Sequence, residues 1–145
     1  MANQHSALVI GAGIAGLQAS INLAQNGFQV YLIEKEEALG GTLRHLSKLF
    51  PTLKDAEETI GAMLQKVREA SNINVFTNSQ IKSVKGSIGN FKAKIVKDSL
   101  SKPQPTEEEI QADVIIVATG FHEYDARKLG QYKYGQYRNV ITGLE

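Results

Sequence analysis

Three features of this 145-residue sequence predict an α/β fold of three layers, a central parallel sheet with helices and an antiparallel β-meander. An apolar run, Ala7-Leu8-Val9-Ile10, breaks at Gly11-Ala12-Gly13-Ile14-Ala15-Gly16, passes into a helical pattern and returns as a second apolar run, Val30-Tyr31-Leu32-Ile33. Between residues 80 and 112 apolar and polar residues alternate around turn-forming glycines, as in half-buried antiparallel strands. A last apolar run, Val114-Ile115-Ile116-Val117, ends in a turn at Gly120. The order of strand, glycine turn, helix and strand is the unit of Rossmann-like sheets.

The first unit carries the chemistry. Gly11 allows a tight turn off the first strand, and Gly13 has no Cβ to block the approach of a pyrophosphate. Gly16 lets the helix over 14–26 pack closely on the strand, and the helix N-terminus offers the free N–H groups of Ile14 and Ala15 to phosphates. Ile14, Leu17, Ile21, Leu23 and Ala24 form the side expected to face the sheet, Ser20 falls where a small residue is needed, and Gly27 ends the helix. The strand over 29–33 is closed by Glu34, at about the offset from Gly11 where a carboxylate binds ribose hydroxyls. Such a charge-assisted hydrogen bond is worth roughly 1.5–3 kcal/mol. Farther on, Gly40 and Gly41 let a second backbone segment approach the same ligand. The unit is a dinucleotide site, and the negative Glu34 disfavours a 2′-phosphate, hence NADP.

The remaining elements follow in order. Residues 38–53 read as a loop with a short helical start, ending at Phe50-Pro51. Asp55 is placed to N-cap a second helix, with Glu58 completing a capping box, and Ala56, Ile60, Met63, Leu64, Val67 and Ala70 form its apolar face. Residues 73–77 form a third parallel strand. Residues 80–86 and 91–97 form two antiparallel strands joined by Gly86–Asn90, with Phe91, Ala93 and Ile95 turned inward. A Pro- and Ser-containing surface loop covers 98–106, and 107–112 returns as a third short antiparallel strand. Residues 114–120 by themselves read as a buried core strand ending in a turn.

Composition excludes several functions. A net charge of +1 gives no electrostatic case for nucleic acid or an acidic membrane. No apolar run approaches the ~20 residues that span a bilayer. Met1–Ser6 leads directly into the first strand and leaves no room for a signal peptide, so a cytoplasmic location is expected. There is no cysteine, hence no disulfide, no redox dithiol, no thiolate nucleophile and no cysteine-ligated cluster. His5, His45 and His122 are scattered without ligand spacing, so no metal site is expected, and no residue stands out as a catalytic acid or base. Redox chemistry would belong to a bound cofactor.

With Lys35 after Glu34, the string E-K-x-x-x-x-G-G resembles the FAD-binding domain of two-dinucleotide-binding flavoproteins, the glutathione-reductase-like group. Ala118-Thr119-Gly120 is similar to that group's ATG motif, in which a strand returns beside the first and its glycine end approaches the cofactor. The resemblance implies FAD, with Lys35 near the adenine, Gly40, Gly41 and Thr42 lining the far side, and Ala118, Thr119 and Gly120 closing the site. It also puts Gln80 and Ile81 at the mouth of the adenine pocket, where Ile81 either flanks the ring or is a plain core residue.

The likeness narrows at the C-terminal end. Ala118-Thr119-Gly120-Phe121, then Tyr132-Lys133-Tyr134-Gly135-Gln136-Tyr137-Arg138-Asn139-Val140-Ile141-Thr142, resembles the A-type subunit of heterodisulfide reductase, as do Gly40-Gly41, Leu46 and Phe50-Pro51-Thr52. That family implies a flavoprotein passing electrons between FAD and iron–sulfur clusters on partner subunits. Two departures stand out. Where the family has cluster cysteines this chain has Leu53, Lys54, Asp55 and Ala56, and where it inserts a ferredoxin-like segment there is only Asp98–Glu109. Residues 1–145 are therefore expected to form one FAD-binding domain, a fragment or reduced version of a longer flavoprotein, holding the ADP half of the cofactor. Two other readings stay open. One is an NAD-binding domain, against which Gly40-Gly41 and the meander count. The other is a non-catalytic nucleotide- or partner-binding module, with Tyr132–Tyr137 as partner surface rather than family-specific packing.

Overall fold

A computed structural model of the protein describes residues 5–97 and 106–144. The chain runs β1 (Ser6–Ile10), α1 (Ile14–Gln25), β2 (Gln29–Ile33), a 3-10 turn (Gly41–His45), β3 (Lys48–Leu49), β4 (Lys54–Asp55) and α2 (Ala56–Glu69). It continues through β5 (Ile73–Phe76), β6 (Ser79–Ser87), β7 (Asn90–Lys97), β8 (Thr106–Ala112) and β9 (Val114–Val117), then two 3-10 turns, Ala126–Lys128 and Gly130–Tyr132. The expected loop over 98–106 lies outside the described residues apart from Thr106, which opens β8.

Strands β5, β2, β1 and β9 form a parallel sheet in that order. Successive strand side chains point to opposite faces. Val9, Val30, Leu32 and Ile73 pack on one face with Leu17 and Ile21 of α1 and with Ile60 and Val67 of α2. Leu8 and Ile33 pack on the other with Ala93 and Ile95 of β7 and Ile110 and Ala112 of β8. Burial on both faces explains why β1 and β2 read as unbroken apolar runs. The antiparallel meander β6-β7-β8 is the third layer.

The structure differs from the sequence expectations in four places. Ile14 does not face the sheet; it is 44% exposed, because the first residue of α1 lies beyond the strand ends. The β6–β7 turn is shorter than Gly86–Asn90, since pairing continues through Gly86 with Phe91 and Ser87 with Asn90. The 38–53 loop contains β3, which pairs with β4 as a small hairpin. The capping box at α2 is half formed. The Asp55 carboxylate accepts the N–H groups of Glu57 and Glu58, but its second oxygen is held by Lys48 Nζ at 3.2 Å, and Glu58 makes no return bond among the described residues. The Lys48 ammonium, with those N–H groups, holds the Asp55 carboxyl below its ordinary pKa.

Candidate dinucleotide site

The sheet order places β2 on one side of β1 and β9 on the other, so the turn after β1 lies where the strand order reverses. Open α/β sheets bind ligands outside the carboxyl ends of the strands at that point. Three backbone segments converge there. The Gly11 N–H donates to the Ile33 carbonyl at 2.8 Å, the Ala118 N–H to Ile10 at 2.8 Å, and the Gly40 N–H to Ala12 at 2.7 Å. Gly11 has φ +100°, and a Cβ on it would overlap the Ala118 carbonyl oxygen. A Cβ on Gly16 would overlap the Gly11 carbonyl oxygen, so α1 is seated directly on the turn. A Cβ on Gly41 would lie 3.1 Å from Gly13 Cα, which brings the second glycine pair against the first.

Gly13 is different, since no atom lies within 4 Å of where its Cβ would be. It is the N-cap of α1, which has neither a capping side chain nor an acidic residue in its first turn. The first helical bond runs from the Leu17 N–H to the Gly13 carbonyl at 2.9 Å, and the N–H groups of Ile14 and Ala15 have no acceptor among the described residues. Helix α2, in contrast, caps itself with Asp55 and carries Glu57 and Glu58 in its first turn. An uncapped helix N-terminus beside a Cβ-free surface is chemically suited to an anion, and a pyrophosphate fits that description.

Glu34 stands at the side of this opening. It is only 7% exposed, and its carboxylate accepts the Ala12 N–H at 2.8 Å on Oε2 and the Glu36 N–H at 3.0 Å on Oε1. The surrounding backbone is laced to the end of β5. The Glu34 N–H donates to Phe76 at 2.8 Å, the Ser79 N–H to Glu34 at 2.9 Å and the Asn78 N–H to Glu36 at 3.1 Å. Buried Ser79 turns its hydroxyl onto the Thr77 carbonyl at 2.8 Å. Glu34 thus braces the glycine turn through Ala12, a role that sequence reasoning missed. The donor is a backbone N–H, and residue type carries no signal for it.

The structure gathers Gly11, Gly13, Ile14, Ala15, Gly16, Glu34, Gly40, Gly41 and Ala118 at this point. Other expected residues are more peripheral. Thr42 is half-buried in the 3-10 turn, and Lys35 is exposed with Nζ 3.7 Å from Glu36. Thr119 and Gly120 are exposed just past β9. Ile81 packs against the Leu8, Ile33 and Ile95 core, as a core residue does. His5 lies at the other end of the sheet, its Nδ1 3.7 Å from Asp113, and His45 and His122 are exposed. Among the described residues no group of three or more His, Cys, Asp or Glu is placed to hold a metal ion, and no helix is long and apolar enough to cross a membrane.

Residues 5–142 match the family described as pyridine nucleotide-disulphide oxidoreductase. An A-type iron-sulfur subunit of CoB–CoM heterodisulfide reductase from Methanopyrus kandleri is 31% identical, over 98% of this chain and 32% of its own length. That alignment runs over 214 positions, so the relative carries extra segments inside the matched span. The corresponding iron-sulfur subunit of Methanocaldococcus jannaschii is 40% identical over 72% of this chain and 15% of its length. The chain therefore spans about a third or less of these relatives. Among solved structures, L-proline dehydrogenase from P. horikoshii has the same fold with a TM-score of 0.67 at 24% identity, covering 83% of this chain and 24% of that one. Bacillithiol disulfide reductase from Bacillus cereus has a TM-score of 0.60 at 19% identity, covering 81% and 40%. A flavin is the cofactor that this kinship implies. With a Rossmann-like fold, its glycine turn at the strand-order reversal and a match over nearly its whole length, the chain belongs to the pyridine nucleotide-disulphide oxidoreductase family.

Proposed function

We propose that this chain is the FAD-holding domain of a flavoprotein oxidoreductase akin to the A-type subunit of heterodisulfide reductase, and that it grips the cofactor by the ADP moiety. The observation that carries the reading is the meeting of an open α1 N-terminus, the Cβ-free face of Gly13 and the buried Glu34 carboxylate. The N–H groups of Ile14 and Ala15 would bind the pyrophosphate, and Gly11 and Gly16 keep the turn close enough for them to do so. Each Glu34 oxygen holds one backbone N–H and retains a lone pair for a ribose hydroxyl. Gly40, Gly41 and Thr42 would line the far side of the diphosphate. Lys35 would flank the adenosine end, and Ala118, Thr119 and Gly120 would close the site.

When bound, the flavin supplies the redox chemistry, and the protein's part is to bind and orient it. No side chain is assigned an acid or base role. Electrons would be exchanged with partner subunits, as befits relatives named as subunits of heterodisulfide reductases.

The test is a titration of the purified protein with FAD, ADP, riboflavin and NADH, followed by calorimetry. FAD and ADP are expected to bind within about tenfold of each other, with riboflavin at least ~100-fold weaker. FAD binding no tighter than riboflavin would refute the reading. A response to NADH without one to FAD would replace it with the NAD-binding alternative.

A further inference from the structure

Only one asparagine of this chain is followed by glycine, in the pair Asn26-Gly27. Every other asparagine precedes a residue with a Cβ. The backbone nitrogen of the next residue can attack an asparagine side chain, and glycine hinders that attack least, having no Cβ and the widest choice of backbone angles. Both residues are exposed, so water reaches them.

The same pair ends helix α1. Asn26 is the C-cap, and Gly27 follows with φ +82°, the left-handed conformation in which glycine closes helices. The Gly27 N–H donates to the Ala24 carbonyl at 3.0 Å, and the Phe28 N–H donates to the Leu23 carbonyl at 3.1 Å. The Asn26 Nδ2 donates to the Asn22 carbonyl at 2.7 Å. Asn72, between α2 and β5, brackets the pair from outside the helix. Its Nδ2 donates to the Ala24 carbonyl at 2.9 Å and to the Phe28 carbonyl at 2.8 Å. Its own carbonyl accepts the Val30 N–H at 2.8 Å, which ties it to β2.

We infer that Asn26 is a deamidation site, and that Asn72 protects it by holding the turn over residues 24–28 closed. In the reaction the Gly27 nitrogen bonds to Asn26 Cγ and gives up its proton, and the side-chain nitrogen of Asn26 leaves as ammonia. The resulting succinimide takes up water at either carbonyl and opens to aspartate or isoaspartate, with no oxidant or cofactor. Ring closure consumes the Gly27 N–H and expels Nδ2, so it breaks the bonds to Ala24 and Asn22. The turn must therefore open first, and the two Asn72 bonds oppose that opening. The product puts a carboxylate at the C-terminal end of α1, beside carbonyl oxygens of like sign, and isoaspartate also lengthens the backbone of the turn by a carbon. A chain that has opened and reacted thus keeps a weakened helix end.

Peptide mapping by mass spectrometry during incubation at mildly alkaline pH reads the reaction. In the urea-unfolded chain Asn26 should be the first asparagine to react, and folding should slow it at least ~100-fold. Asn72→Ala removes both bracketing bonds and should speed the reaction of the folded protein about tenfold, with far-UV circular dichroism to check that the variant is folded. In the unsubstituted protein, deamidation and hydrogen exchange at the Gly27 amide should rise together as urea increases below the unfolding transition, since one opening exposes both. Reaction as fast in the folded as in the unfolded chain overturns the inference, and so does an Asn72→Ala rate equal to that of the unsubstituted protein. A deamidation rate that stays flat while Gly27 exchange climbs overturns it without any variant.

Discussion

Replacing Glu34 with Gln separates bracing from binding. The substitution keeps the shape of the side chain but leaves one acceptor oxygen where there were two. In the structure Oε2 accepts the Ala12 N–H at 2.8 Å and Oε1 the Glu36 N–H at 3.0 Å. The amide oxygen of Gln can keep one of these as a neutral bond, at a loss of roughly 1 kcal/mol relative to the charged one. The other N–H would face an amide NH2 and lose its partner, which costs about 1–3 kcal/mol at a buried position. The sum is roughly 2–4 kcal/mol. For a domain of this size about 3 °C of melting temperature follows each kcal/mol, so Tm should fall by about 6–12 °C. The assay is thermal unfolding of nucleotide-free wild type and E34Q, followed by circular dichroism. If the ligand-free proteins melt within about 2 °C of each other, Glu34 does not brace the turn and the reasoning is wrong.

Other outcomes follow from the same geometry. Gly16→Ala drives a Cβ into the Gly11 carbonyl and should cost at least ~3 kcal/mol, whereas Gly61→Ala, on the exposed side of α2 with nothing nearby, should add about 0.5–1 kcal/mol; urea unfolding midpoints compare the two. The Ser20 hydroxyl is fully buried without a partner among the described residues, so Ser20→Ala should raise stability by about 1 kcal/mol in the same assay. Asp113 accepts the Ser6 N–H at 2.7 Å and the Ser6 hydroxyl at 3.2 Å, and the backbone bond chiefly holds its carboxyl below the ordinary pKa. A carboxyl lowered in the folded state adds stability above its unfolded pKa, and that stability fades as pH falls through the folded value. Asp113→Asn should therefore flatten the acid limb of a stability–pH profile below about pH 4 and leave its shape unchanged near neutrality. Parallel curves for the two proteins would contradict this.

Much of the fold was legible because its signals are local. Apolar runs, a glycine turn and an N-capping Asp55 each constrain a few neighbouring residues; the parallel pairing of β1 with β2 followed from the motif they share, and the place of β9 beside β1 from the resemblance of Ala118-Thr119-Gly120 to the ATG motif. Ile14 was misplaced because helical periodicity says nothing about where a strand stops. The β3–β4 hairpin was missed because two-residue strands have no periodicity to detect. At the site, the glycines and Glu34 were legible by type and spacing, and Ala118 through the resemblance to the ATG motif. The Ala12 and Glu36 donors, and the clamp of residues 34–36 on 76–79, were not. Those bonds use backbone groups that every residue has, and only the folded path decides which of them meet.

Strand β1 gives one side chain, Leu8, to the meander core and the next, Val9, to the helix core. Neither apolar layer can melt while the other stays dry, because the same ribbon walls both. Amide protons of β1, bonded on both sides to β2 and β9, should therefore exchange with deuterium only when the whole domain opens. The glycine turn hangs from the end of that ribbon, so the nucleotide grip is tied to the slowest-exchanging part of the molecule. Residues 119–144, largely exposed beyond β9, should exchange orders of magnitude sooner.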